Sequence, residues 1–297
     1  MLSVFPVLAF LLCLCSERSW ADMGTTPHLK QIIVGRCYNY VTIVNPSSRL
    51  NCEGIWRDFQ DAVLKEAPCS VYVENYNRLF RTAHQTLPCN KLLFWSKTRD
   101  IVHSFSAVTH HFMTLEDTLI GYMFNDLMWC GQRNQTGFDF NSCPEWSSCE
   151  HHPVASLWKK ASEYFADSAC GNITVILNGS INKAFNKESM FGSVEVNSLD
   201  PKKINYVNIM VIGNLEGPFR ESCTSGSIVD LIKILQNRGF RWTCTDNDLS
   251  LVILQCVQDP SHPLCKLYGY SLLQKGKHVL KCDDINGISD CKLKLKG

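Results

Sequence analysis

Val207-Asn208-Ile209-Met210-Val211-Ile212 is followed by the helical stretch Ser227-Ile228-Val229-Asp230-Leu231-Ile232-Lys233-Ile234-Leu235-Gln236-Asn237, and that by Phe240-Arg241-Trp242-Thr243-Cys244. Strand, crossover helix, strand is the signature of a small parallel sheet. Two further short apolar runs upstream, Ile173 to Leu177 and Ser193 to Val196, read as strands of the same part, so the texture of the chain changes at Gly171.

Before Gly171 the pattern is helical. Asn51 to Ala67 carries Ile55, Trp56, Phe59, Ala62 and Val63 at helical spacing, and Ser70 to Ala83 and Asp100 to Phe112 carry similar stripes. Leu115 to Cys130 continues the pattern with Leu115, Leu119, Tyr122 and Met123. From Pro153 to Ala169, a helix with proline near its start groups Leu157, Trp158, Ala161 and Phe165. The expected fold is mixed α/β: a disulfide-tied, mainly helical domain over 22–170, an α/β domain with a parallel sheet over 171–265, and an appendage over 266–297.

With 297 residues, 45% hydrophobic and only 19% charged, the chain can bury a large core and lies far from the composition of disorder. A formal net charge of +1 leaves no basic footprint for nucleic acid. The apolar run Leu2 to Cys15, closed by small residues at Ser19 and Ala21, reads as a signal peptide over residues 1–21. A retained signal anchor is the rival, but nothing basic precedes the run, and about 14 apolar residues are short for a span. Gly276 to Gly297 is rich in lysine and has no hydrophobic tail, so no lipid-anchor signal is evident. Secretion is the expectation, with a homodimer left open.

Of 16 cysteines, removing Cys13 and Cys15 with the signal leaves 14, an even number suited to an oxidising compartment. Zinc is the competing use, yet there is no C-x-x-C and no H-E-x-x-H, and the pairs His110-His111 and His151-His152 are adjacent and poor for chelation. Sequons stand at Asn134, Asn172 and Asn178. Asn172 and Asn178 flank the Ile173 to Leu177 run, where a glycan would reach water from the strand ends.

The segments Phe94-Trp95-Ser96, Thr114-Leu115-Glu116-Asp117-Thr118-Leu119, Trp158 and Phe191-Gly192-Ser193-Val194-Glu195-Val196 together resemble the ADP-ribosyl cyclase/cyclic ADP-ribose hydrolase family, from about Leu29 to Cys265. Those enzymes break the nicotinamide–ribose bond of NAD. The resemblance implies a helical domain and a parallel-sheet domain with the active site in the cleft between them. It also implies the pairs Cys37 with Cys52, Cys69 with Cys149, Cys89 with Cys170, Cys130 with Cys143, Cys223 with Cys244, and Cys256 with Cys265; Cys282 and Cys291 remain and are expected to pair with each other.

Nicotinamide leaves NAD as a neutral molecule, so no general acid is needed, unlike ordinary glycoside hydrolysis with its two carboxylates. What the reaction requires is a negative charge beneath an oxocarbenium-like ribosyl centre in a dry site. The resemblance gives that task to Glu195. By pattern alone, Val194 and Val196 would face inward and Glu195 would face water. Trp95 and Trp158 match the tryptophans that enclose nicotinamide and ribose, where a pyridinium gains roughly 0.5 to 2 kcal/mol from an indole face; core packing is the alternative. Ser162 lies one helical turn from Trp158, where the family places a serine near the reacting ribose.

Glu116 and Asp117 point about 100° apart on a helix and form no dyad by spacing. The resemblance assigns both to the nicotinamide end, with Glu116 tuning the balance of hydrolysis and ring closure. A solvated acidic pair in a first helical turn after a Thr114 cap is the alternative. Ser96, Lys97 and Phe191 match positions around ribose and phosphates, Lys97 being equally readable as a surface lysine. No G-x-G-x-x-G or Walker loop is present, so NAD is expected as substrate and no cofactor is implied.

Met190 and Asn125 depart from the threonine and aspartate frequent in the family. The expected activity is that of an extracellular NAD glycohydrolase/ADP-ribosyl cyclase. A receptor-like secreted glycoprotein of the same fold with little turnover is the alternative.

Overall fold

The computed structural model describes residues 24–46, 49–133 and 136–266, together with the backbone of 278–285 and 288–295. The stretch expected to be a signal peptide, 1–21, and Asn134 lie outside the described residues. The described residues fall into two compact units, one within Met1–His84 and Met123–Trp158 and the other within Gln85–Tyr122 and Lys159–Gly297.

The first unit is helical. It contains α1 (Leu29–Asn39), which runs into a π-helical turn at Tyr40–Val44, then α2 (Cys52–Leu64) and α3 (Asn77–Thr82). The Asn51 side chain accepts from Gly54 N at 2.9 Å and so starts α2. The apolar face of α2 buries Ile55, Trp56, Phe59, Ala62 and Val63, the residues that the helical spacing selects. Phe59 is the hub of an aromatic core, with Phe124 at 4.9 Å, Trp129 at 5.4 Å and Trp56 at 5.5 Å between ring centroids. Disulfides Cys37–Cys52, Cys69–Cys149 and Cys130–Cys143 close this unit.

The second unit is built on a four-stranded parallel sheet of order β1-β2-β3-β4. The strands are β1 (Leu93–Ser96), β2 (Gly171–Asn178), β3 (Ile204–Ile212) and β4 (Trp242–Asp246). Ile173, Val175, Ile176 and Leu177 are all buried, the continuous apolar run of a sheet covered on both faces. Helix α4 (Arg99–Thr109) follows β1, and α5 (Leu119–Phe124) precedes α6 (Pro153–Asp167), along which the division between units falls. After β3 come α8 (Ser227–Asn237) and, beyond β4, α9 (Leu249–Gln258). Leu93, Ile176 and Ile212 of the sheet form one core cluster with Val102 and Phe105 of α4 and Leu251 and Val252 of α9. Cys89–Cys170, Cys223–Cys244 and Cys256–Cys265 close the unit, so all six pairings implied by the resemblance are present. Strands β5 (His278–Ile285) and β6 (Ile288–Leu295) pair antiparallel with Cys282 opposite Cys291; the side chains of that pair lie outside the described residues.

Three expectations are corrected. Ser193 to Val196 is not a strand: Phe191–Glu195 winds as a π-helix and passes into α7 (Val196–Ser198). The cause is local, since Ser193 N and Ser193 Oγ both donate to Ser189 O at 2.8 Å. A Cβ on Gly192 would lie 2.2 Å from Asn186 O, so that glycine admits a neighbouring backbone. The single helix expected over Leu115 to Cys130 is a 3-10 turn, Leu115–Asp117, and the short α5; Asp126 has φ of +56°, which halts helical winding. Finally, Leu93–Ser96 pairs with Thr174–Leu177, so a stretch inside the expected 22–170 helical domain is a strand of the sheet.

Candidate active site

In open parallel sheets, ligand-binding residues gather beyond the carboxyl ends of the strands, and β1 ends in the expected site residues. Phe94 and Ser96 are buried, Trp95 is half-buried and Lys97 is exposed. Lys97 has φ of +60°, a conformation a non-glycine residue adopts only when its surroundings hold it. Asn178 Nδ2, at the end of β2, donates to Lys97 O at 3.2 Å, and Thr98 Oγ donates to Ile176 O at 3.1 Å. Sheet neighbours therefore fix the turn that carries Ser96 and Lys97 into α4. Asn172, the other sequon asparagine of this strand, is exposed.

The 3-10 turn Leu115–Asp117 presents Glu116. Thr114 caps it, and Asp117 Oδ2 accepts from Thr114 N at 2.8 Å, Thr114 Oγ at 3.0 Å and Ser106 Oγ at 3.4 Å. The structure thus ties one Asp117 oxygen into a capping box. Glu116 stays half-buried, and its Oε2 accepts from Trp95 Nε1 at 3.5 Å. A Cβ on Gly121 would meet Leu115 O at 2.0 Å, so α5 can start close under this turn only with glycine there.

Glu195 is brought inward by the π-helical turn and is 7% exposed. Ser162 Oγ, buried on α6, donates to Glu195 Oε1 at 2.9 Å. Trp158 lies one turn before Ser162 on the same helix and is half-buried, while Leu157 and Ala161 are fully buried. Phe191 anchors the turn through rings: Phe185 at 6.0 Å and Phe94 at 6.3 Å, with Phe165 5.0 Å beyond Phe94. The outward-facing reading of Glu195 from strand alternation fails because the segment is not a strand.

Burial pushes the Glu195 carboxyl up to about 8; the Ser162 hydrogen bond opposes the shift and the Glu116 charge adds to it. Such a shift favours the protonated form near neutral pH, and a positive charge beside the carboxyl would favour its ionisation. Among the described residues, no three metal-ligating side chains gather. Nor is any helix there long and apolar enough to cross a membrane.

Of the expected site residues, Ser162 is bonded to Glu195 and Trp95 to Glu116, Ser96 and Phe191 are buried, and Lys97 is exposed. Two supports escaped sequence reasoning. Ser189 starts the winding that leads into the π-helical turn, through bonds from Ser193 and Gly192, and no short pattern announces it. His103 meets the Trp95 ring edge-on from α4, with centroids 6.2 Å apart; in sequence it is one polar residue in an amphipathic helix.

The ADP-ribosyl cyclase family model matches residues 26–265. The ADP-ribosyl cyclase/cyclic ADP-ribose hydrolase 1 of Mus musculus is 40% identical over 266 residues, 88% of each chain. Porcine CD38 complexed with a covalent intermediate aligns at 39% identity and a TM-score of 0.74, covering 77% of this chain and 99% of its own. Aplysia cyclase complexed with substrate NGD and product cGDPR aligns at 34% identity and 0.78, covering 82% and 99%. A family model spanning most of the chain, a relative 40% identical over 88% of each chain and solved structures of the same fold place the protein in the ADP-ribosyl cyclase family.

Proposed function

We propose that the protein is an extracellular NAD glycohydrolase/ADP-ribosyl cyclase, with Glu195 as the carboxylate that stabilises the ribosyl centre. The observation that carries this is the buried Glu195 bonded to Ser162 with no salt-bridge partner among the described residues. A lone acid in a dry setting is poorly stabilised until a positive charge arrives, and the nicotinamide–ribose end of NAD is such a charge. As the bond to nicotinamide breaks, its electron pair leaves with the neutral base and positive charge grows on the ribosyl carbon. Glu195, having released its proton to solvent as the cationic substrate entered, stabilises that carbon as a carboxylate or captures it through one oxygen. A covalent intermediate is recorded for porcine CD38, which supports capture.

Water then yields ADP-ribose, and attack by adenine N1 of the same molecule yields cyclic ADP-ribose; hydrolysis is expected to dominate. Trp95 and Trp158 enclose the nicotinamide and ribose, and Glu116 lies at the carboxamide end. Asp117 supports that end through the Thr114 turn. Trp158 and Ser162 line the ribose from α6, and Ser96, Lys97 and Phe191 lie toward ribose and phosphates. No cofactor takes part, NAD being the substrate. Secretion with glycans at Asn134, Asn172 and Asn178 completes the reading.

The test is incubation of purified protein with NAD and with its guanine analogue, for wild type and Glu195→Gln. Nicotinamide release by wild type and loss of on the order of 10³-fold in the variant are expected. Absence of release from wild type returns the receptor-like alternative. Undiminished release from Glu195→Gln removes the role of Glu195.

A further inference from the structure

Glu195 owes its inward direction to the winding of one short segment, and α8 grips that stretch of chain at both ends. At the start of α8, Glu221 accepts from Lys183 N at 2.7 Å and from Ala184 N at 3.0 Å, and Ser227 Oγ accepts from Phe185 N at 2.9 Å. Those bonds fix the chain ahead of the π-helical turn. Arg238 stands at the other end of α8, and its two terminal nitrogens go to main-chain carbonyls just past Glu195. Nη2 donates to Leu199 O at 2.7 Å and to Asn197 O at 3.1 Å, and Nη1 donates to Val196 O. Leu199 N in turn donates to Glu195 O at 3.2 Å.

Three features make this a clamp. Helix α7 spans only Val196–Ser198, and the last carbonyls of a helix have no partner within it, so the guanidinium meets orphan acceptors and the negative end of the helix dipole together. The guanidinium is itself held, its carbon lying 5.2 Å from the centroid of the buried Phe240 ring. Finally, α8 is seated through Ile228, Leu231, Ile232 and Leu235, all buried, so Arg238 reaches out from a fixed base.

We infer that Arg238 is a positioning residue for Glu195: by holding the carbonyls of Val196, Asn197 and Leu199 it closes the wound segment and keeps the carboxyl at Ser162. This rests on the reading of Glu195 as the carboxylate that stabilises the ribosyl centre. A catalytic group needs supporting contacts that are themselves fixed, and the two-nitrogen fork of arginine spans carbonyls that one ammonium cannot reach together. Without the clamp the carboxylate shifts relative to the ribosyl carbon, where small displacements are costly. The Ser162 bond that favours the ionised form loosens with it. Loss of Arg238 therefore acts on bond breaking more than on capture of NAD.

The experiment is a double-mutant cycle on nicotinamide release, with KM and kcat for NAD measured across pH for wild type, Arg238→Ala, Ser162→Ala and the double variant. Arg238→Ala is expected to lower kcat about 10- to 100-fold while KM changes less than about threefold. The rise of kcat/KM with pH, which follows ionisation of Glu195, should move upward in Arg238→Ala and move no further when that change is added to Ser162→Ala. Arg238→Lys keeps the charge without the fork and should stay at least about threefold below wild type in kcat. Amide hydrogen exchange, read by mass spectrometry, should quicken over residues 191–199 in Arg238→Ala and stay unchanged in β2 and β3. An unaltered kcat, a rise in KM alone, a pH shift of equal size on both backgrounds, wild-type kcat in Arg238→Lys, or unaltered exchange over 191–199 would each overturn the inference. If wild type releases no nicotinamide, the functional reading fails while hydrogen exchange still decides whether Arg238 holds the segment. Should Arg238→Ala not fold, Arg238→Lys takes its place in the cycle.

Discussion

Asp58 in the helical unit and Glu195 in the sheet-bearing unit are both buried carboxylates, 4% and 7% exposed, and their partners differ in kind. Asp58 accepts from Thr82 Oγ on one oxygen and from Arg78 Nε at 2.7 Å on the other, so its charge is matched. Glu195 has one hydroxyl donor and an acidic neighbour in Glu116. Glu221, in the same unit as Glu195, behaves like Asp58. It accepts from Lys183 N at 2.7 Å, Ala184 N at 3.0 Å, Ser227 N at 3.2 Å and the Ser227 hydroxyl. Burial raises the Glu221 carboxyl, but those hydrogen bonds outweigh it and hold the group below its usual range. Matched carboxylates serve the fold, whereas an unmatched one is a liability that a cationic ligand can relieve.

The contrast is broken most sharply at Glu195. Glu195→Gln should lose on the order of 10³-fold in nicotinamide release while keeping or raising Tm, because an amide avoids the penalty of ionising in place. The sign can be checked by pH. The folded carboxyl sits at about 8 against an ordinary value of 4.5, so between those values the native state holds a proton that the unfolded chain has lost. Relative to Glu195→Gln, wild type should therefore lose stability as pH rises from about 4.5 through about 8. Thermal melts across that window decide it. In the free enzyme, kcat/KM for NAD should rise through the same upper limb.

Ser162→Ala removes the hydrogen bond that favours the charged form. It should lower kcat/KM about 10- to 100-fold near neutral pH and move the limb upward, as a pH–rate profile would show. Asp58→Asn should cost about 2 kcal/mol of stability, read by denaturant unfolding. If both Asp58→Asn and Glu195→Gln destabilise alike, the distinction between matched and unmatched burial is wrong. The smallest effect belongs to Glu116→Gln, which removes repulsion and should shift the kcat/KM limb modestly to lower pH.

Much of the fold is legible in the chain. The apolar runs that form β2 and β3 are long enough to declare themselves, and α2 and α6 carry stripes bounded by a cap at Asn51 and a proline at Pro153. The segments that escape are short or decided by distant partners. Leu93–Ser96 has four residues, too few for a period, and is a strand because Thr174–Leu177 lies alongside. Val194-Glu195-Val196 alternates like a strand but is wound by Ser189 and the close passage of Asn186 against Gly192, contacts that no period of two or 3.6 encodes. Glu195 is nominated by likeness to relatives; its inward direction comes only with the winding of its segment. Asp117 is nominated in the same way, and the structure adds its bonds to Thr114 and Ser106.

That winding has a consequence for sequence change. A π-helical turn is an α-helix that has accommodated one surplus residue. Deleting a single residue among Phe191–Val194 would return the segment to ordinary α-helical pitch in place of the wide turn that carries Glu195 to Ser162, while every remaining letter of the motif stayed in place. The spacing of this stretch is thus as much a constraint as its composition, and a one-codon deletion there should be more damaging than most single substitutions around it.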